Sequence, residues 1–226
     1  MIMQEWDLGY FDKSIVRSVR PGPRPIGARL IAWDRGREFY DGARENGYGG
    51  FRYDGRWKPI AKRLIDRYGL TDKSAVLEIG CKKGFFLHDL KELLPGIRVA
   101  GIENHPYPIE TAMPSIKKEI TLCDYDRLPY ADKSFDFVFA FSSIYMLHLG
   151  GVMEAIKEIT RVGRGKSYIT LAAYHDEESR RLFEGWTLIG TSLLHVDDWQ
   201  AVFAHVGYRG DYYFTTARSL NLIWSK

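Results

Sequence analysis

No apolar run in this 226-residue chain approaches the ~18 residues of a membrane-spanning helix, so no span is expected. Cysteine is nearly absent. Cys81 and Cys123 are the only two, too few for a disulfide framework, and they suggest a reducing, cytoplasmic setting. The first residues lack a basic start followed by an apolar stretch, so no secretory signal is expected. Charge of one sign is also missing: 32 Lys and Arg oppose 29 Asp and Glu, a net +3 that is too mild to indicate a nucleic-acid partner. No spacing of histidine, cysteine and carboxylate matches a metal site. Gly-x-Ser-x-Gly, the turn of a serine hydrolase, is absent, as are internal repeats.

What is present is a folded composition, 45% hydrophobic and 27% charged, with an excess of aromatics: 14 Tyr, 12 Phe and 6 Trp. The length corresponds to one domain and an appendage at ~150 residues per domain. Residues 1–57 hold ten aromatics, Trp6, Tyr10, Phe11, Trp33, Phe39, Tyr40, Tyr48, Phe51, Tyr53 and Trp57, along with nine glycines and little periodicity. Pro21, Pro23 and Pro25 favour an extended segment, a short helix is expected over Ala28–Tyr40, and Gly47-Tyr48-Gly49-Gly50 demands a loop. We therefore read 1–57 as an N-terminal cap or lid extension and 58–226 as the main domain.

From Lys58 the pattern becomes regular. Helices are expected over Lys58–Tyr68, Phe85–Leu94, Tyr107–Met113 and Gly151–Val162. Strands are expected at Ala75–Ile79, Ile97–Ile102, Ile120–Cys123, Phe135–Phe141 and Ser167–Ala173. Continuous apolar strands alternating with amphipathic helices indicate an α/β protein with a parallel sheet covered on both faces. Asp176–Trp186 and Val196–Val206 follow as helices. Asp211–Thr216 and Leu220–Trp224 then read as two strands with no helix between them, which predicts a C-terminal antiparallel hairpin.

The first of these strands runs into a glycine turn, Leu77-Glu78-Ile79-Gly80-Cys81-Lys82-Lys83-Gly84. Glycines there let the backbone turn sharply and approach a ligand, and the next helix offers free N–H groups. The second strand ends in Gly101-Ile102-Glu103, where a carboxylate can accept from both hydroxyls of a ribose. Cys123-Asp124-Tyr125-Asp126-Arg127-Leu128-Pro129-Tyr130 and Asp132-Lys133-Ser134-Phe135-Asp136-Phe137-Val138 follow. On these four stretches residues 75–173 resemble the class I S-adenosylmethionine-dependent methyltransferases, within the broad set related to ubiquinone-biosynthesis methyltransferases. The resemblance implies a Rossmann-like, doubly wound, seven-stranded, mostly parallel sheet, with S-adenosylmethionine as cofactor.

Roles follow position by position from that resemblance. Glu78 would lie near the cofactor's ammonium, with Gly80, Cys81 and Gly84 lining the turn. Glu103, with Asn104 beside it, would bind the ribose hydroxyls. Asp124 would accept from the adenine amino group, with Tyr125 alongside. Many relatives carry a further glycine where this chain has Lys82, whose side chain must then point away from the cofactor or touch its carboxylate. Tyr53 or Arg56 of the extension could meet that carboxylate, a contact for which Arg is well suited. The missing Gly-x-Gly also counts against a dinucleotide oxidoreductase.

Ligands of open α/β sheets bind beyond the carboxyl ends of the strands. Tyr145 and His175 fall there, and they are the candidate catalytic residues, His175 as a base. A loop histidine followed by the helix cap Asp176 is the plainer reading of His175. His148, in an apolar turn, reads as packed, and His195 and His205 read as surface residues. Cys81 reads as a small turn residue and Cys123 as core. The aromatic extension reads either as a lid over cofactor and acceptor or as a wrap on the sheet or on a second copy of the chain. Arg17, Arg20, Arg24 and Arg29 serve either an acidic substrate or a solvated surface. The resulting expectation is methyl transfer to an oxygen or nitrogen of a small-molecule acceptor, a biosynthetic intermediate or a sugar. The alternative is an inactive binding or scaffold protein of the same fold.

Overall fold

Side-chain alternation along two strands sorts the core into two layers. In β2 (Ala75–Ile79) and β5 (Phe137–Ala140), successive side chains point to opposite faces of the sheet. Ala75, Leu77, Ile79, Val138 and Ala140 join one buried cluster. Val76, Phe137 and Phe139 join the other. Both strands are buried along their whole length, as a sheet covered on both sides requires. The first cluster is closed by α6 (Leu149–Val162), α7 (Glu177–Trp186) and α8 (Val196–Val206), and the second by α3 (Lys58–Tyr68) and α4 (Phe85–Leu93). This computed structural model describes residues 3–225.

The sheet has seven strands in the order β4-β3-β2-β5-β6-β7, with β8 also paired to β6. Its remaining strands are β3 (Arg98–Glu103), β4 (Ile120–Leu122), β6 (Ser167–Tyr174), β7 (Leu193–His195) and β8 (Asp211–Thr215), with the short helix α5 (Pro106–Glu110) between β3 and β4. Every pairing within it is parallel. The strand order reverses between β2 and β5, so a crevice opens beyond their carboxyl ends.

The C-terminal antiparallel hairpin is not formed. Helix α8 lies between β7 and β8, and a helical crossover brings β8 in parallel to β6, with Ile169 opposite Tyr212. After β8, Thr216 and Ser219 exchange hydrogen bonds (2.8 and 3.1 Å) and Asn221 adopts a left-handed φ of 51°. That turn carries β9 (Leu222–Trp224) out of the main sheet, onto the parallel strand β1 (Arg17–Val19). The single helix expected over Ala28–Tyr40 is divided into α1 (Ile26–Asp34) and α2 (Arg37–Tyr40). The break falls at Arg35, which holds a left-handed φ of 55°.

The extension does two things. Its first part wraps the sheet. Trp6 donates from its backbone to Tyr212, and its carbonyl accepts from the Tyr168 hydroxyl (2.8 and 2.6 Å). Buried Asp211 accepts from Arg67, Tyr68 and the Gln4 amide. Its later part builds a small cluster of Phe39, Tyr40 and Ile189, packed by Tyr48 and Phe51, over the carboxyl edge of the sheet. Among the described residues, no helix is long and apolar enough to cross a membrane.

Candidate active site at the carboxyl edge

The turn after β2 is built by glycine where the chain needs it. Gly80 and Gly84 have φ of 72° and 74°, a region that side chains disfavour. A Cβ on Gly80 would lie 2.3 Å from the Ser143 Cβ, so the turn packs directly on the segment after β5. The Gly80 and Cys81 amides donate to the Ile102 carbonyl (2.8 and 3.1 Å), which ties the turn to β3. Gly84 then precedes α4 as its N-cap.

Glu103, at the carboxyl end of β3, is only 1% exposed. Its Oε2 accepts from the Lys82 amide (2.9 Å), and its Oε1 accepts from the Asn104 amide and the Tyr125 hydroxyl (both 2.9 Å). Burial pushes the Tyr125 hydroxyl well above its ordinary pKa, and the Glu103 charge adds to this, so Tyr125 is a proton donor in that bond. Glu78, one strand over, is buried and its Oε2 has no hydrogen-bond partner. Burial pushes its carboxyl well above the usual carboxylate range. The Lys82 ammonium pulls it back, and the Glu103 charge pushes it further up.

Lys82 itself takes a left-handed φ of 56°, the conformation a glycine would adopt without strain. Its side chain is among those lining the cleft. Nζ donates to the carbonyls of Gly80 (3.3 Å) and Phe141 (3.1 Å).

The extension closes the cleft from above. Asp41 accepts from the Lys83 ammonium and the Tyr107 hydroxyl (both 2.6 Å) and from the Phe51 amide (3.0 Å). Phe51 stacks on Phe85 at 4.9 Å. The space in the cleft is lined by Arg35, Tyr40, Tyr48, Glu103, Tyr125 and Met146, among others, and its cavity volume is only about 10 Å³. That is under the ~300 Å³ at which small-molecule pockets begin. A roomier, open groove, lined by Arg98, Tyr130, Lys133 and Arg164, begins at the amino end of β3, away from the edge where such sheets bind ligands.

Of the residues singled out in the sequence, Gly80, Glu103 and Tyr125 line the cleft together. Glu78, Cys81, Gly84 and Asn104 are not among the lining residues. Cys81 is buried with its thiol pushed well above the ordinary pKa, chiefly by burial, and is no nucleophile in this state. Asp124 is exposed. Tyr145 is buried with its hydroxyl pushed up to about 12 by burial. His175 is exposed, and its backbone carbonyl accepts from the His195 ring (3.0 Å). Tyr53 donates to Asp89 on α4, and Arg56 pairs with Asp54 at the surface, so neither side chain is among those lining the cleft. Sequence reasoning did not single out Arg35, Ser142, Ser143 or Met146, which do line it. The position of the two serines just after a central strand was the available signal.

Residues 77–171 match the family model described as "Methyltransferase domain". Methyltransferase GfsG of Streptomyces halstedii is 26% identical over 162 residues, covering 66% of this chain and 57% of that protein, so the match spans little more than half of the relative. Among solved structures, YcgJ of Bacillus subtilis superposes with a TM-score of 0.53 at 17% identity, over 65% of this chain and 66% of that one. A chain in the complex between the Haloferax volcanii Trm112 methyltransferase activator and a methyltransferase gives 0.50 at 18% identity, over 70% and 77%. Both likenesses concern the fold. Over residues 77–171, somewhat under half of its length, the chain is thus similar to methyltransferase domains.

Proposed function

We propose that this chain moves the methyl group of S-adenosylmethionine to an oxygen or nitrogen of a small-molecule acceptor, a biosynthetic intermediate or a sugar. The observation that carries the reading is Glu103: a buried carboxylate at the carboxyl end of the strand beside the glycine turn, with one oxygen held by a hydroxyl. The Tyr125 hydroxyl donates there as a ribose hydroxyl would. The unpartnered Oε2 of Glu78 is a second polar group that a cationic ligand would satisfy. These features fit the cofactor, once Tyr125 and Lys82 give up their present bonds.

The cofactor brings an electrophilic methyl group on a sulfonium. The task left to the protein is alignment of acceptor, methyl and sulfur, which can supply much of the rate. In this reading Glu103 fixes the ribose and the Gly80–Gly84 turn lets the backbone approach. Asp124 reaches the adenine once the cleft opens. Residues 1–57 act as the cap, with Phe39, Tyr40 and Tyr48 excluding water from the transfer. Tyr145 stays protonated at neutral pH and serves as a hydrogen-bond donor to the acceptor. His175 is the candidate to take a proton from it.

The tightness of the cleft favours one other reading, a binding protein of methyltransferase fold without activity. Calorimetric titration with S-adenosylhomocysteine separates the two. One saturable site is expected, weakened about tenfold or more by Glu103→Ala, as loss of hydrogen bonds to a charged acceptor implies. Absence of binding by the wild type would sink the enzyme reading.

A further inference from the structure

Two backbone carbonyls converge at the carboxyl ends of adjacent strands. One is that of Gly80 after β2 and the other that of Phe141 after β5, and both accept from the Lys82 ammonium. The nearby Glu78 carboxyl, buried with one oxygen unpartnered, has Lys82 as the cation acting on it. The two converging carbonyl oxygens form a cation site. Lys82 is the side chain that fills it. Among the described residues no carboxylate lies within ion-pair distance of this ammonium, and those two carbonyls are its hydrogen-bond partners.

We propose that Lys82 is a built-in competitor for the cofactor's ammonium group: its Nζ occupies the cation site formed by the Gly80 and Phe141 carbonyls, and the amino-acid end of the cofactor enters only when Lys82 leaves. The inference rests on the adenosine-cofactor reading above. Two ammonium groups cannot share the same pair of carbonyls without strong repulsion. Lys82 is half-buried on a flexible four-carbon stem, so it has a route outward to solvent. Its left-handed backbone keeps the turn in the shape a glycine would give, and the substitution therefore alters the occupant of the site rather than the turn.

The position predicts a weak preference for the amino-acid end of the ligand. S-adenosylhomocysteine carries that ammonium, whereas 5′-methylthioadenosine keeps the nucleoside and thioether and lacks it. Both would be titrated calorimetrically into the wild type and into Lys82→Met, which removes the charge and keeps a side chain of similar length. The wild type should bind the two ligands within about threefold of each other. Lys82→Met should bind S-adenosylhomocysteine about tenfold more tightly, the scale of a hydrogen bond to a charged group, with 5′-methylthioadenosine unchanged. The inference is overturned if Lys82→Met leaves S-adenosylhomocysteine affinity unchanged or weakens it. A wild-type preference of about 100-fold or more for S-adenosylhomocysteine overturns it with no variant needed. Failure of either ligand to bind the wild type removes the adenosine-cofactor reading and this inference with it, whereas binding of both with an unaltered ratio in Lys82→Met removes this inference alone.

Discussion

The Tyr125 hydroxyl donates to Glu103 Oε1 across 2.9 Å, and both residues are almost fully buried. The bond links the segment after β4 to the end of β3 through the middle of the cleft. It is also the bond that a ribose hydroxyl would have to replace.

Tyr125→Phe should therefore ease ligand entry. Removing one competing hydrogen bond, worth about 1 kcal/mol net, should tighten S-adenosylhomocysteine about fivefold and lower unfolding stability by a similar energy. Calorimetric titration paired with denaturant unfolding measures both. A loss of affinity would mean that the hydroxyl contacts the ligand directly.

Asp41 should make the cap sensitive to acid. Burial raises its pKa, but hydrogen bonds from Lys83, Tyr107 and the Phe51 amide outweigh that and hold it below its ordinary 3.8. A depressed carboxyl contributes stability that is fully present above the unfolded value and lost as pH falls through the folded one. Cap closure should thus hold at neutral pH and fail below about pH 4. Asp41→Asn should raise amide exchange over residues 36–51 at pH 7 and flatten that acid step. Unchanged exchange in the variant would show that the aromatic packing alone holds the cap.

Asp211 should matter for stability at a distance from the cleft. It is 2% exposed and pairs with Arg67 at 2.8 Å while accepting from Tyr68 and the Gln4 amide. Asp211→Ala leaves a partly buried guanidinium and a buried hydroxyl without their acceptor, and about 3 kcal/mol should be lost. Denaturant unfolding tests this. A loss under 1 kcal/mol would place the N-terminal wrap's contribution in Trp6 and Leu8 instead.

Tyr145 should stay silent in the pH profile. With its hydroxyl at about 12, it does not ionise in the range where methyl transfer would be assayed. Tyr145→Phe is expected to lower kcat and leave the profile between about pH 6 and 9 unchanged in shape. Disappearance of an ionisation in that range would make Tyr145 the base.

Local signals were the legible ones. The β2–turn–α4 unit and Glu103 are set by residues within about 30 positions of one another, and helix Lys58–Tyr68 and strand Ala75–Ile79 have the bounds their patterns predict. The misses depend on distant partners. The direction of β8 is set by α8 and by pairing with β6, some 40 residues earlier in the chain, which a turn-and-strand pattern does not encode. The destination of the Lys82 ammonium depends on the Phe141 carbonyl, 59 positions away. Arg35 reaches the cleft because a left-handed residue ends α1 early, where the apolar pattern runs on toward Tyr40.

The pairing of Arg17–Val19 with Leu222–Trp224 has a consequence for how the protein matures. Strand β1 immediately precedes the helices that lead into the cap, yet its partner is made about 200 residues later. On a ribosome the central sheet can assemble as it emerges, but β1 stays unpaired until residue 224 has cleared the exit tunnel. Contacts so far apart in sequence form late because the intervening loop must close first. The sheet and the Asp41 contacts over the cleft can therefore form before β1 finds its partner.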